Sequence, residues 1–271
     1  MFCDSVVHKI AEMVDNEYPL KPLNNTYPMT DSRNISDILE NWDYDSQSIR
    51  ARLVAGQNGS TDVLQMRIEM GVIQMETEGR PDGYRPEGFA TYLDYLLQEE
   101  IARGDAWTLN DEQCIEVDRE FMQFYQRRIS WLSIKEYDRV MRDADHTLAL
   151  MDFCKRHSPD DGWTIVHEQY RPFVLFHRTQ AAAYHQLNEA TPQAAIECIN
   201  DGLGTIQNIF TEHDLEEHFE EDELVTQLRD IREALRTEYS VGKTLHEQLA
   251  EAIASEQYER AAEIRDQLSK S

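Results

Sequence analysis

The chain has 271 residues, long enough to bury a sizeable core without staples, and carries 52 acidic side chains against 26 basic ones, a net charge of −26. Such a surface repels phosphate, so direct nucleic-acid binding by the intact protein is not expected. The bases are mostly arginine and the surface poor in lysine, a balance that suits a saline habitat or plain solubility as well as an acidic binding face.

Asp4, Glu12, Asp15 and Glu17 interrupt the first twenty residues, so no secretory leader is expected, and no later run approaches the ~18 apolar residues of a membrane span. Cys3, Cys114, Cys154 and Cys198 lie far apart, which argues for a reduced cytoplasmic chain rather than a disulfide framework or a zinc site.

Val6, Val7, Ile10, Met13 and Val14 recur at helical spacing and predict a short amphipathic helix, followed by a loop rich in Pro, Asn and Thr. Ile49, Ala51 and Leu53 then alternate with Arg50 and Arg52. Across Gly56–Gly59, Leu64, Met66, Ile68 and Met70 alternate with Gln65, Arg67 and Glu69. That is a half-buried β-hairpin near residues 47–78 with one apolar face. "GVIQMETEGRPDG" is expected to extend its second strand into a turn at Gly79–Gly83, and a helix over about 89–103 ends at Gly104.

From Asn110 to Phe210 the pattern is helical throughout. One stripe runs through Ile115, Phe121, Met122, Tyr125 and Ile129, the next through Tyr137, Val140, Met141, Ala144 and Leu148, and a third through Phe173, Phe176, Ala183, Tyr184 and Leu187. Thr191 and Pro192 are the N-cap and first residue of a fourth helix. "WLSIKEYDRVMRDA" and "AYHQLNEATPQAAIECI" lie about 50 residues apart, and both resemble parts of tetratricopeptide units. Trp131, Tyr137, Val140 and Ala144 echo that family's large–small alternation, as do Ala181, Tyr184, Ala194 and Cys198, without its strict spacing.

The tail opens on "TEHDLEEHFEED". Leu224, Leu228, Ile231 and Leu235 then step as a heptad seam, predicting one long acidic helix over 211–243 capped by Thr211 with Asp214. Gly242 breaks it, and Thr244 with Glu247 forms a capping box that starts a terminal helical pair. In that pair Leu245, Leu249, Ala252 and Ile253 share one face of the first helix, and Tyr258, Ala261, Ala262, Arg265 and Leu268 share one face of the second. Arg265 on an apolar stripe needs a carboxylate, from Glu247, Glu251 or a second chain.

Leu249, Ala252, Tyr258, Glu259, Arg260, Ala261, Ala262, Arg265 and Asp266 follow the pattern of the UVR motif, with Tyr in place of the commoner Phe, and residues 245–268 resemble it. The resemblance implies a contact module of the kind by which UvrB and UvrC meet, with a protein partner, a second copy of this chain or another UVR-motif protein as its occupant, and it implies no catalysis. Nothing upstream resembles a helicase or a GIY-YIG nuclease, and the layout is similar to prokaryotic proteins known only by that motif.

Other chemistry is weakly signalled. "SVGKT" at 240–244 lacks the earlier glycine and the strand of a phosphate loop, and "DGLGTIQ" lacks the third glycine of a dinucleotide fingerprint. His213, Glu217 and His218 sit in a solvated acidic run, and His177 and His185 read as packing and surface, so no metal or cofactor is expected. No catalytic residues are assigned, and the chain is read as a non-enzyme.

The expected fold is mainly α: antiparallel, tetratricopeptide-like helical hairpins with a small N-terminal β element and a C-terminal helical hairpin. Its parts are 1–109 (mixed α and β), 110–210 (helical hairpins), 211–243 (the acidic helix) and 244–271 (the UVR-like pair). The expected function is an adaptor or regulatory scaffold, near UvrBC-type repair or Clp-type proteolysis by analogy. One alternative is an enzyme with a pocket between the β element and the first helical hairpin, signalled by a buried acid cluster around Glu76, Glu78 or Asp82. Another is weak nucleic-acid contact through a face of Arg50, Arg52, Arg67 and Arg80.

Overall fold

A computed structural model describes residues 35–56, 61–104 and 107–269, so the expected helix through Val6–Val14 and the hairpin tip at 57–60 lie outside the described residues. The chain divides after Asn41 into two units. The described part of the first holds one helical turn, α1 (Ser36–Glu40).

The second unit begins with three antiparallel strands in the order β1 (Arg50–Val54), β2 (Val63–Ile68) and β3 (Gly71–Glu76). Ala51, Met66 and Ile73 stand in register, as do Leu53, Leu64 and Met75. Leu64, Met66 and Met75 are buried, and with Ala51 and Ile73 they pack against Trp131, Val140 and Ala181. On the other face Arg52 Nε donates to Gln65 (3.0 Å), Gln65 donates to Gln74 (3.0 Å), and the Arg52 guanidinium lies 4.1 Å from the Trp42 ring centre.

β3 is a strand in its own right, where a continuation of β2 is expected from sequence. The Arg67 guanidinium donates to the carbonyls of Ile68, Glu69 (3.2 Å) and Gly71 (3.1 Å), tying the chain into a reversal that leaves Met70 86% exposed. Met70 therefore lies outside the strand, and Ile68, at the end of β2, is 40% exposed.

α2 (Tyr92–Arg103) stops at Gly104 as predicted, where a φ of 80° suits glycine, and starts from a reciprocal cap between Thr91 and Asp94 that the sequence reading did not name. α3 (Asp111–Ser133), α4 (Tyr137–His157), α5 (Asp161–Glu168), α6 (Arg171–Glu189) and α7 (Pro192–Glu212) build the helical body, in which α3–α4, α4–α6 and α6–α7 pack as successive antiparallel neighbours. α7 carries the predicted Thr191 cap and Pro192 start. Its approach to α6 is close: a Cβ on Gly202 would stand 2.7 Å from Thr179 Cβ.

The inward stripe of α3 is offset from the predicted one. Val117, Glu120, Phe124, Arg127 and Trp131 are buried at three- and four-residue steps, whereas Ile115 is 45% exposed and Phe121, Met122, Tyr125 and Ile129 lie on the flank. Two charged residues in core phase conceal the true stripe from a reading based on apolar periodicity.

The single acidic helix predicted over 211–243 is not formed. α7 runs through Thr211 to Glu212, the chain turns at Asp214 (φ 55°), α8 (Glu216–Phe219) follows, and α9 (Glu223–Tyr239) begins at Asp222, whose carboxylate accepts from Leu224 and Val225 N–H. Phe219 is buried in the α7–α9 core, and reaching it requires the break. The heptad seam packs within the chain: Leu228 and Leu235 are buried and Leu224 and Ile231 partly buried against a core that holds Ile196, Ile199, Leu203 and Ile206 of α7, and Val225, outside the predicted seam, joins them. No helix among the described residues is long and apolar enough to cross a membrane.

Candidate functional site

The terminal pair is α10 (Leu245–Ala254) and α11 (Tyr258–Leu268), ten and eleven residues long. Thr244 accepts from Glu247 N–H and the Glu247 carboxylate accepts from Thr244 N–H (2.8 Å), as the capping box predicts. The turn between the helices places Glu256 at φ 57° and returns Gln257 N–H to the Ala252 carbonyl at 2.8 Å.

Ala252 (2% exposed), Ala261 (8%) and Ile264 (5%) form the buried seam, flanked by Leu245, Leu249 and Leu268. Five of the predicted residues thus meet, and small side chains at 252 and 261 set the close approach. Ile264 completes the seam. It lies three residues after Ala261 and four before Leu268, a spacing that identifies it as the inward position.

Arg265 is not on that stripe. It is exposed and has no ion pair among the described residues, because both carboxylates expected to hold it are already engaged. Glu247 takes the Arg236 guanidinium, with Arg232 3.9 Å away, and Glu251 takes Lys243 at 2.7 Å. Burial works against the Glu247 charge, but the Thr244 N–H and Arg236 outweigh it and hold the carboxyl below its usual range. Ile253, expected inward, is 55% exposed, and Tyr258 is 68% exposed. Ala262 is half-buried and Asp266 exposed. Tyr258, Ala262, Arg265 and Asp266 follow one another at helical spacing on a stripe that nothing described in the chain covers.

The root of α10 is fixed to the body by polar contacts: Arg236 with Glu247, and His246 3.3 Å from Glu197 of α7. α11 packs chiefly on α10.

Elsewhere, Glu76, Glu78 and Asp82 do not form a buried acid cluster. Glu78 is exposed and held by Arg142 at 2.7 Å, while Asp82 pairs with Arg80 at 3.1 Å. Among the described residues the buried acids are Glu120 and Asp143, both missed by the sequence reading. Glu120 accepts from Tyr92 N–H (2.6 Å) and Leu93 N–H (3.0 Å) at the start of α2 and contacts His146 at 2.9 Å. Asp143 holds Arg127, which also donates to the Glu76 and Gly79 carbonyls and so pins the turn after β3 to the body. These are fully engaged structural ions.

The arginines suggested as a basic face are likewise occupied. Arg80 is 1% exposed between Asp82 and Glu116, Arg67 serves backbone carbonyls, Arg52 stacks on Trp42, and Arg50 lies 3.8 Å from Asp45. Arg50, Arg52 and Arg67 share the outer face of the sheet, Arg50 opposite Arg67 in register, while Arg80 lies apart in the turn after β3.

A cleft of about 620 Å³ does open between the turn carrying Arg80–Glu87, α2 and the first turns of α3. Among the described residues no group of three or more His, Cys, Asp or Glu side chains is arranged to hold a metal.

No curated protein and no solved structure matches the chain. What does match is the terminal hairpin: residues 243–271 fit the UvrB/uvrC motif, UVR.

Proposed function

We propose that the protein is a non-catalytic adaptor or regulatory scaffold that docks a protein partner, or a second copy of itself, through the outward stripe of α11. The observation that supports this is the division of labour in the hairpin. Ala252, Ala261 and Ile264 bind the two helices to each other, while Tyr258, Arg265 and Asp266 remain exposed beside the half-buried Ala262. A large half-apolar tyrosine, a small residue permitting close approach and an adjacent pair of opposite charges are the elements of a compact, oriented helix contact. UVR motifs generally mediate protein–protein contacts, which supports the same reading. A place beside UvrBC-type repair or Clp-type proteolysis is the narrower proposal and rests on the motif alone.

The test is capture from native-host lysate with the intact protein beside an Ala262→Glu variant, together with sedimentation of both. Position 262 lies on the flank of the seam, so circular dichroism and melting are expected to be unchanged. A carboxylate forced into a close helix contact costs about 2–4 kcal/mol, enough to abolish a micromolar docking event. Loss of specific partners, or of self-association, in the variant supports the proposal. Identical behaviour of a folded variant would show that the stripe docks nothing.

A further inference from the structure

We propose that the cleft between the Arg80–Glu87 turn, α2 and α3 binds an extended, proline-containing peptide segment bearing a basic side chain. This site is separate from the hairpin and does not depend on its role. The cleft volume of about 620 Å³ lies within the range of functional ligand sites.

Its floor carries two polar groups with nothing to bond. Tyr92 is 7% exposed and Gln113 8% exposed, and both line the cleft. Gln113 Oε1 is used by Asn110 N–H at 3.0 Å, which leaves its Nε2 hydrogens free. The Tyr92 hydroxyl has no hydrogen-bond partner among the described residues. Neither group is sealed inside the protein. Among the described residues the enclosed polar side-chain atoms without partners are Trp131 Nε1, Arg139 Nη1, Asn200 Nδ2 and Arg236 Nε. The free ends of Tyr92 and Gln113 therefore open on the cleft.

Burial, with Tyr95 and Glu116 nearby, pushes the Tyr92 hydroxyl far above its ordinary value, so it stays protonated and able to donate. The floor thus presents an O–H and an N–H donor, whose natural complement is a pair of carbonyl oxygens. The walls are Tyr84, Tyr95 and Pro86. A polyproline II segment supplies both requirements: its carbonyls have no internal hydrogen bonds, and its prolyl rings pack on aromatic faces at low entropic cost.

The charge left over at the rim is negative. Arg80 is neutralised by Asp82 and Glu116, Arg119 pairs with Glu116, and Arg103 pairs with Glu99. Glu87 and Glu112 are exposed on the rim with no ion pair among the described residues. A Lys or Arg flanking the prolines answers them, whereas an anionic ligand meets only spent cations.

The experiment uses the full chain and the fluorescein-labelled peptide Arg-Pro-Leu-Pro-Pro-Leu-Pro, read by anisotropy. The same peptide with Glu for Arg and the neutral sugar maltohexaose, followed by calorimetry, serve as comparisons. Saturable binding of the Arg peptide is expected, at least about tenfold tighter than of the Glu peptide. Tyr92→Phe deletes the hydroxyl alone, and Gln113→Glu keeps the oxygen that Asn110 needs while removing the donor. Each is expected to weaken binding roughly tenfold. Glu112→Lys changes an exposed rim residue and should reverse the charge preference even if the floor variants fold poorly. Absence of Arg-peptide binding, equal affinity in all three variants, or binding of maltohexaose instead would overturn the proposal.

Discussion

Arg127 and Asp143 form a two-pronged ion pair sealed from water: Nε and Nη2 each donate to a carboxylate oxygen at 2.8 Å, with the side chains 2% and 0% exposed. Each charge depends chiefly on the other: without Asp143, Arg127 keeps only the Glu76 and Gly79 carbonyls, and without Arg127, Asp143 keeps only Arg142 at 3.7 Å. Asp143→Asn is therefore expected to destabilise the protein by about 3–5 kcal/mol. The paired replacement Arg127→Met with Asp143→Leu should recover part of that loss. Arg127 also holds the Glu76 and Gly79 carbonyls, so hydrogen exchange at residues 77–83 should accelerate in both variants. Denaturant titration with exchange mass spectrometry checks both expectations, and an unperturbed turn would show that Arg127 does not anchor it.

A second buried group makes stability depend on pH. Burial, and then the neighbouring Arg128, bring His177 down from 6.5 to about 3. The folded protein keeps this imidazole neutral while the unfolded chain protonates it below about 6.5, so the unfolded state binds more protons and stability falls as pH drops from 6.5 towards 3. The slope from this group alone approaches about 1.4 kcal/mol per pH unit. His177→Gln retains an acceptor for Arg128 Nε and has no such proton. Melting from pH 7 to pH 4 should show the variant's deficit shrinking steadily. A constant deficit would mean that His177 is not buried neutral.

The α6–α7 contact is set by the absence of a side chain. Gly202→Ala should cost about 1–3 kcal/mol, because its Cβ has no room beside Thr179. Adding Thr179→Ala should restore part of the loss, since the γ-atoms are the nearest obstacles. If Gly202→Ala melts like the parent, the two helices are further apart than described.

Within the hairpin, Ile264 and Arg265 separate packing from recognition. Ile264→Ala removes a buried side chain from a core of only three buried residues and is expected to cost that hairpin about 2–4 kcal/mol, seen as lost protection over residues 245–268. Arg265→Ala should leave protection unchanged and affect only docking. The reverse pattern would restore Arg265 to the seam.

Much of the architecture was legible because its signals are local. Thr191 and Thr244 start helices, Gly104 ends one, and period-two alternation marks β1 and β2. Failures came where a distant partner decides the outcome. Glu120 and Arg127 occupy core phase only because Tyr92 N–H, His146 and Asp143 await them from other elements. Asp214 turns the chain so that Phe219 can reach the core laid down by α7 and α9. In the candidate site, motif and seam were readable, and the steps from Ala261 to Ile264 to Leu268 separate Ile264 from Arg265, but the pairing of Glu247 with Arg236 and of Glu251 with Lys243 depends on residues outside the hairpin helices.

The attachment of α11 chiefly to α10 gives the last two helices a thermodynamic autonomy. Their opening exposes little of the main core, so it should occur as a sub-global fluctuation well below the free energy of complete unfolding. A ligand gripping the stripe would then be registered as slowed amide exchange confined to residues 245–269, while the main melting transition barely moves. Thermal-shift screening would overlook such a partner, and footprinting would find it.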